Sequence, residues 1–103
     1  VLFDEMTYSA GILFITVVQD HKLATTLGRP TGGFANQTGN METFTLPNSG
    51  LTVYAPSRKF IRVNGNTTQH VVVPDVIVSF SGEVEGDAVL DQAIQMLRNK
   101  EDN

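Results

Sequence analysis

The 103 residues predict a mixed α/β (α+β) domain, and three observations carry that prediction. Apolar stretches of strand length and helix length alternate through Val1–Asp4, Ala10–Gln19 and Leu23–Leu27. Two alternating stretches, Met41–Leu46 and Leu51–Tyr54, flank Pro47-Asn48-Ser49-Gly50, the turn chemistry of a β-hairpin. A last segment sets Val89, Leu90, Ala93, Ile94 and Leu97 at helical spacing. Strands and helices interleaved in this way build one layered domain over residues 1–103.

Each element has its own reason. Val1 to Asp4 reads as a short buried strand. Thr7 and Ser9 then offer hydroxyls that could cap the following helix. From Ala10 to Gln19 the apolar side chains Ile12, Leu13, Phe14, Ile15, Val17 and Val18 nearly surround the axis, the pattern of a helix buried on all sides. A strand over Leu23–Leu27 ends at Gly28 and Pro30, and Thr31-Gly32-Gly33 opens a polar loop reaching Asn40. After the hairpin, Phe60, Ile61 and Val63 suggest a further strand stopped by Asn64-Gly65-Asn66. Val71–Val73 should be extended before Pro74, and Val76–Phe80 reads as a strand. Asp87 should cap a closing helix that runs to about Asn99.

Composition narrows the function. A net charge of -4 with scattered basic residues argues against nucleic acid, since phosphate binding requires clustered Lys and Arg. With no cysteine, neither a disulfide framework nor a thiolate metal site is available. The run Ile12–Val18 is far shorter than the roughly 20 residues that cross a bilayer. The bare apolar opening Val1-Leu2-Phe3 is read as the start of a fragment, with an N-terminal part of the same protein expected upstream.

Three motifs in register carry a resemblance. Thr7-Tyr8-Ser9-Ala10-Gly11 follows a strand and opens a helix. Leu27-Gly28-Arg29-Pro30-Thr31-Gly32-Gly33 closes the next strand, and Val73-Pro74-Asp75-Val76-Ile77-Val78 precedes the final helix. Together they resemble the tail-specific (C-terminal processing) serine proteases, a family with tricorn-type relatives. The resemblance implies a ClpP/crotonase-like fold: a mixed sheet, a buried first helix, a hairpin and a C-terminal helix. It also implies peptide-bond hydrolysis without cofactor or metal. Ser9 matches the nucleophile and Ala10 the residue whose amide helps form the oxyanion hole. A helix N-terminus suits that task, because its free N–H groups favour developing negative charge. Gly32 and Gly33 are candidates for letting a substrate backbone approach closely.

The sequence also departs from that pattern. One branch of the family uses a lysine base, and its position falls at Phe34, which takes no proton, so a Ser/Lys pair is excluded. The other branch takes a histidine from further upstream and orients it with a glutamate. That position falls at Thr68, beside Gln69, whose amide could orient an imidazole at some loss of rate. His21 suits a helix C-terminus; His70, near the orienting position, is the only local candidate base but reads more simply as an exposed loop residue; and their separation is no metal signature. Asp4 and Glu5 read as a solvated rim, and Asp75 as a strand-end residue. Glu83, Glu85 and Asp87 read as charges leading into the last helix. Asn36-Gln37-Thr38 and Asn66-Thr67-Thr68 match the glycosylation sequon, a triplet that often arises by chance.

Two functions of different class follow. One is a serine endopeptidase domain of the tricorn-like Ser-His branch, inactive as an isolated fragment and acting on a peptide or protein substrate. The other is a non-catalytic peptide-binding or structural domain of the same fold, motivated by Phe34 and Thr68. Apolar surface left uncovered should favour self-association as a homo-oligomer. The family resemblance implies a location in the cell envelope, the periplasm or outside the cell.

Overall fold

The computed structural model describes residues 1–79 and 86–101. In chain order it runs β1 (Leu2–Phe3), α1 (Ala10–Asp20), β2 (Leu27–Gly28), β3 (Gln37–Thr45), β4 (Thr52–Phe60), β5 (Val76–Ile77) and α2 (Ala88–Glu101). Two sheets and two helices make a mixed α/β fold, as the patterning predicts.

The first sheet is parallel, in the order β1-β2-β5, with Leu2 beside Leu27 and Leu27 beside Val76. Parallel neighbours cannot be joined by a tight hairpin, so the chain must cross over between β1 and β2, and α1 is that crossover. One face of α1 buries Ile12, Ile15, Thr16 and Val18. Ile12 and Ile15 pack with Phe3, Ala35 and Val72 as the core. The other face does not follow the expectation of a helix buried all round. Leu13, Phe14 and Val17 are exposed, Phe14 at 60%, because among the described residues only one side of α1 meets a sheet or loop. Leu23 is likewise exposed, and regular pairing in β2 begins only at Leu27. The chain leaves α1 through Lys22 at φ 53°, and the strand forms only once it has turned back.

The second sheet is the hairpin, with Gln37 opposite Phe60 and Thr45 opposite Thr52. It is longer than apolar alternation predicts. Ladder hydrogen bonds need no apolar side chains, so pairing continues through the polar stretch at 37–40. Asn40 sits at φ 56° within this stretch, and its carbonyl accepts from Ser57 Oγ at 2.8 Å, a side-chain bond across the local distortion. Phe60 therefore ends β4, and Ile61 and Val63 belong to no strand. The expected strand at Val76–Phe80 is pared to Val76–Ile77, with Phe80, Glu83 and Glu85 outside the described residues.

The hairpin projects from the core, since most of its residues are exposed. The radius of gyration is 18.3 Å, against roughly 13 Å for a compact 100-residue domain. The accessible surface is 7413 Å², against about 5,700 Å² for a compact chain of this mass. Helix α2 begins as predicted: Asp87 Oδ1 accepts from the Val89 and Leu90 N–H groups at 3.1 and 3.0 Å. It rests on β1 and β2 with no residue buried.

Candidate active site

The turn between β1 and α1 is built by its own side chains. Asp4 Oδ1 accepts from the Met6 N–H at 2.8 Å, and the Thr7 N–H donates to the Asp4 carbonyl at 3.0 Å. The Thr7 hydroxyl accepts from the Asp4 N–H at 3.3 Å, so it closes the turn and does not cap the helix. Asp4 is thus a structural part of the turn rather than a solvated rim charge, and Glu5 pairs with Arg29 at 2.8 Å.

Ser9 occupies the N-cap position of α1 without acting as a cap. Its side chain makes no capping hydrogen bond, and the residue is exposed. The capping bond expected of the Ser9 hydroxyl is therefore not made, and the backbone gives the reason. Ser9 lies at φ 50°, ψ −118°, outside the extended region that a capping residue normally occupies. A non-glycine residue in such a region costs about 1–3 kcal/mol and persists only where its surroundings enforce it. Among the described residues the Ala10 N–H has no hydrogen-bond acceptor, while the Ser9 carbonyl receives the Ile12 N–H at 3.0 Å. A hydroxyl on a strained bend beside an unpaired amide can attack a carbonyl and hold the resulting oxyanion.

The loop after β2 presses on this turn. Thr31 is buried, donating to the Gly33 carbonyl at 2.8 Å and accepting from the Val72 N–H at 3.0 Å. The Gly33 N–H reaches the Thr7 carbonyl at 3.3 Å. A Cβ on Gly32 would collide with the Glu5 carbonyl and the Tyr8 ring, and one on Gly33 would sit 3.1 Å from Tyr8 Cδ1. The close approach that these glycines permit is to residues 5–8, next to Ser9.

The remaining candidates lie elsewhere or are otherwise occupied. Phe34 is exposed and bridges to Val71. Thr68 donates through its N–H and its hydroxyl to Asn66 Oδ1. Gln69 Oε1 accepts from Arg62 Nη1 at 2.7 Å. His70 is exposed, and His21 caps the C-terminus of α1. Both sequon asparagines are engaged: Asn36 Nδ2 donates to the Asn66 carbonyl and Asn36 Oδ1 accepts from the Arg62 N–H, while Asn66 Oδ1 takes three donors.

Residues that the sequence reading passed over lock the far end of α1. Arg62 is buried and forks onto Asp20, with Nη2 at 2.6 Å from Oδ1 and Nε at 3.1 Å from Oδ2. Burial alone would raise the Asp20 pKa. The Arg62 hydrogen bonds, the Asn64 N–H and the charges of Arg62 and His21 outweigh it and hold the pKa below the ordinary 3.8. Gln19 joins this pair to a second node. Its Oε1 accepts from Arg62, and its Nε2 donates to the Thr26 hydroxyl and the Val73 carbonyl. Thr26, wholly buried, donates through both its N–H and its hydroxyl to Asp75 Oδ2. Asp75 thus ties β2 to the start of β5. One sequence signal was present: Arg62 interrupts the apolar pattern Phe60-Ile61-Arg62-Val63, as a buried cation with a partner would.

A family model described as Peptidase family S41 matches residues 1–78, three quarters of the chain. None of the curated proteins matches the chain significantly.

Proposed function

This chain belongs to peptidase family S41, and from that premise we propose that it is part of the catalytic domain of a tail-specific serine endopeptidase, with Ser9 as nucleophile. Family membership implies a hydrolase of peptide bonds. The finer reading rests on one observation: Ser9 is exposed, uncapped and held at φ 50°, ψ −118° at a strand-to-helix bend. An N-cap serine satisfies helix N–H groups, and this one does not.

In the proposed reaction Ser9 Oγ bonds to the scissile carbonyl carbon as a base takes its proton. The Ala10 N–H donates to the oxyanion. Collapse of the intermediate breaks the C–N bond, and the proton passes to the leaving amine. Water then attacks the acyl-serine, releasing the acid and restoring the hydroxyl. The base is a histidine supplied by an N-terminal part of the same protein, as in the Ser-His branch, because Phe34 stands where the other branch carries lysine. Gly32 and Gly33 support the turn from behind, where their lack of a Cβ lets the loop after β2 sit against Glu5, Thr7 and Tyr8. The uncovered hairpin and helix faces are consistent with an upstream segment or a second copy packing on them. The envelope or extracellular location is part of the same proposal.

A non-catalytic peptide-binding domain is the competing reading, favoured by Thr68 and by the bond that occupies the Gln69 carbonyl. A fluorophosphonate probe separates the two. The full-length protein is expected to be labelled, and Ser9→Ala to abolish labelling. Labelling that survives the substitution, or none in the parent protein, would reject the nucleophile.

A further inference from the structure

We propose that Gln37 is a positioning residue for the oxyanion donor, acting through the Ser9–Ala10 peptide plane. This rests on the nucleophile reading above and assigns a role to a residue outside the three motifs.

Gln37 is half-buried at the base of the hairpin, its backbone paired with Phe60. Its Nε2 donates to the Ser9 carbonyl at 3.0 Å. That carbonyl and the Ala10 N–H belong to one peptide unit. The unit is planar and trans, so its C=O and N–H point in opposite directions. Whatever fixes the direction of the carbonyl therefore fixes the direction of the amide. The Ser9 carbonyl also receives helix N–H groups from Ile12 at 3.0 Å and Leu13 at 3.3 Å, which hold it from the helix side. Gln37 holds it from the hairpin side. The Gly33 N–H bond to the Thr7 carbonyl pins the segment two residues earlier.

The arrangement gives Gln37 a function that its chemistry explains. A strained peptide left with helix bonds alone could tilt toward ordinary helical geometry and turn the Ala10 N–H off its target. A neutral donor from a second element opposes that tilt without placing a charge near the oxyanion. The side chain need not touch substrate. It links the seating of the hairpin to the aim of the amide.

The test compares the full-length protein with Ser9→Ala, Gln37→Leu and Gln37→Glu. The readouts are fluorophosphonate labelling rate, kcat and KM on a peptide substrate, and melting temperature. Gln37→Leu should slow labelling and lower kcat about tenfold, the effect of losing one neutral hydrogen bond, with KM within about twofold. Gln37→Glu replaces the donor by a carboxylate facing the same carbonyl and should be slower still near neutral pH. Its rate relative to the parent protein should recover as pH falls toward about 4.3, where the new carboxyl regains a proton to donate. A structural lesion would show no such recovery, so this arm decides the matter even if Gln37→Leu lowers the melting temperature. Parent-like labelling of both Gln37 variants, with Ser9→Ala unlabelled, would overturn the role of Gln37 and leave the nucleophile standing. Labelling of Ser9→Ala at the parent rate, or an unlabelled parent, would remove the nucleophile and this inference together.

Discussion

The two ends of α1 differ in nearly every physical respect. At its N-terminus, Ser9 is exposed and strained, beside an Ala10 N–H that has no acceptor among the described residues. At its C-terminus, about 16 Å along the axis, Gln19 and Asp20 enter a hydrogen-bonded network around the buried Arg62 and Thr26 that also takes in Asp75 and Gln69. One end carries an exposed hydroxyl that caps nothing, and the other ties polar side chains from distant positions to one another. The contrast suggests a division of labour. A reactive bend tolerates strain only if the element it opens cannot shift, and the network at 19–20 anchors that element to β2, to the approach to β5 and to the loop after the hairpin.

The largest stability effect should come from the anchored end. Arg62→Ala leaves the buried Asp20 side chain without its cation, holding only the Asn64 N–H, and should cost about 3–5 kcal/mol, read as a lower midpoint in urea unfolding. A loss below about 1 kcal/mol would mean that the pair behaves as a surface ion pair, and the comparison would fail. Thr26→Val is the next test. It removes the hydroxyl that serves Gln19 and Asp75 together and should cost about 1–3 kcal/mol. An unchanged melting temperature would show the node to be dispensable.

Acid should act on the same end. The Asp20 pKa is lowered in the folded chain, so its contribution is full above the unfolded value of 3.8 and is lost as pH falls through the lowered folded value. Asp20→Asn should flatten the pH dependence of stability in that acidic range. A parent and variant with parallel acid profiles would count against the assignment. The smallest effect belongs to the reactive end and has the opposite sign. Ser9→Gly relieves the positive φ and should stabilise the fold by about 1 kcal/mol while removing the nucleophile. Destabilisation on that substitution would show that the serine side chain contributes packing there, erasing the contrast between the ends.

Several features were legible in the sequence because they rest on local chemistry. Asp87 caps α2 through its own carboxylate, and the Pro47–Gly50 turn joins antiparallel strands, each using residues within a few positions of one another. The bend at Ser9 was legible as a motif. That Ser9 does not cap was not, since its φ/ψ pair belongs to the folded turn, where the Gly33 N–H meets the Thr7 carbonyl and Gln37 Nε2 meets the Ser9 carbonyl. The boundaries of β2 and β5 shrank for a similar reason. Propensity marks where a strand can form, but pairing requires a neighbour in register, and among the described residues the parallel sheet supplies one for two residues of each.

By itself, the sequence determined the two helices, the hairpin and its turn, the cap of α2 and the placing of a serine at a strand-to-helix junction. These follow from periodicity, turn residues and short-range hydrogen bonding. Only the tertiary structure decided which face of α1 is covered, that Arg62 and Asp20 meet across 42 positions, and that Gln37 reaches back 28 to the Ser9 carbonyl. The physical reason is sequence distance. Arg62 breaks an apolar run and so hints at burial, but neither its partner nor the peptide that Gln37 holds is marked by any periodicity, and both emerge only when the chain has folded.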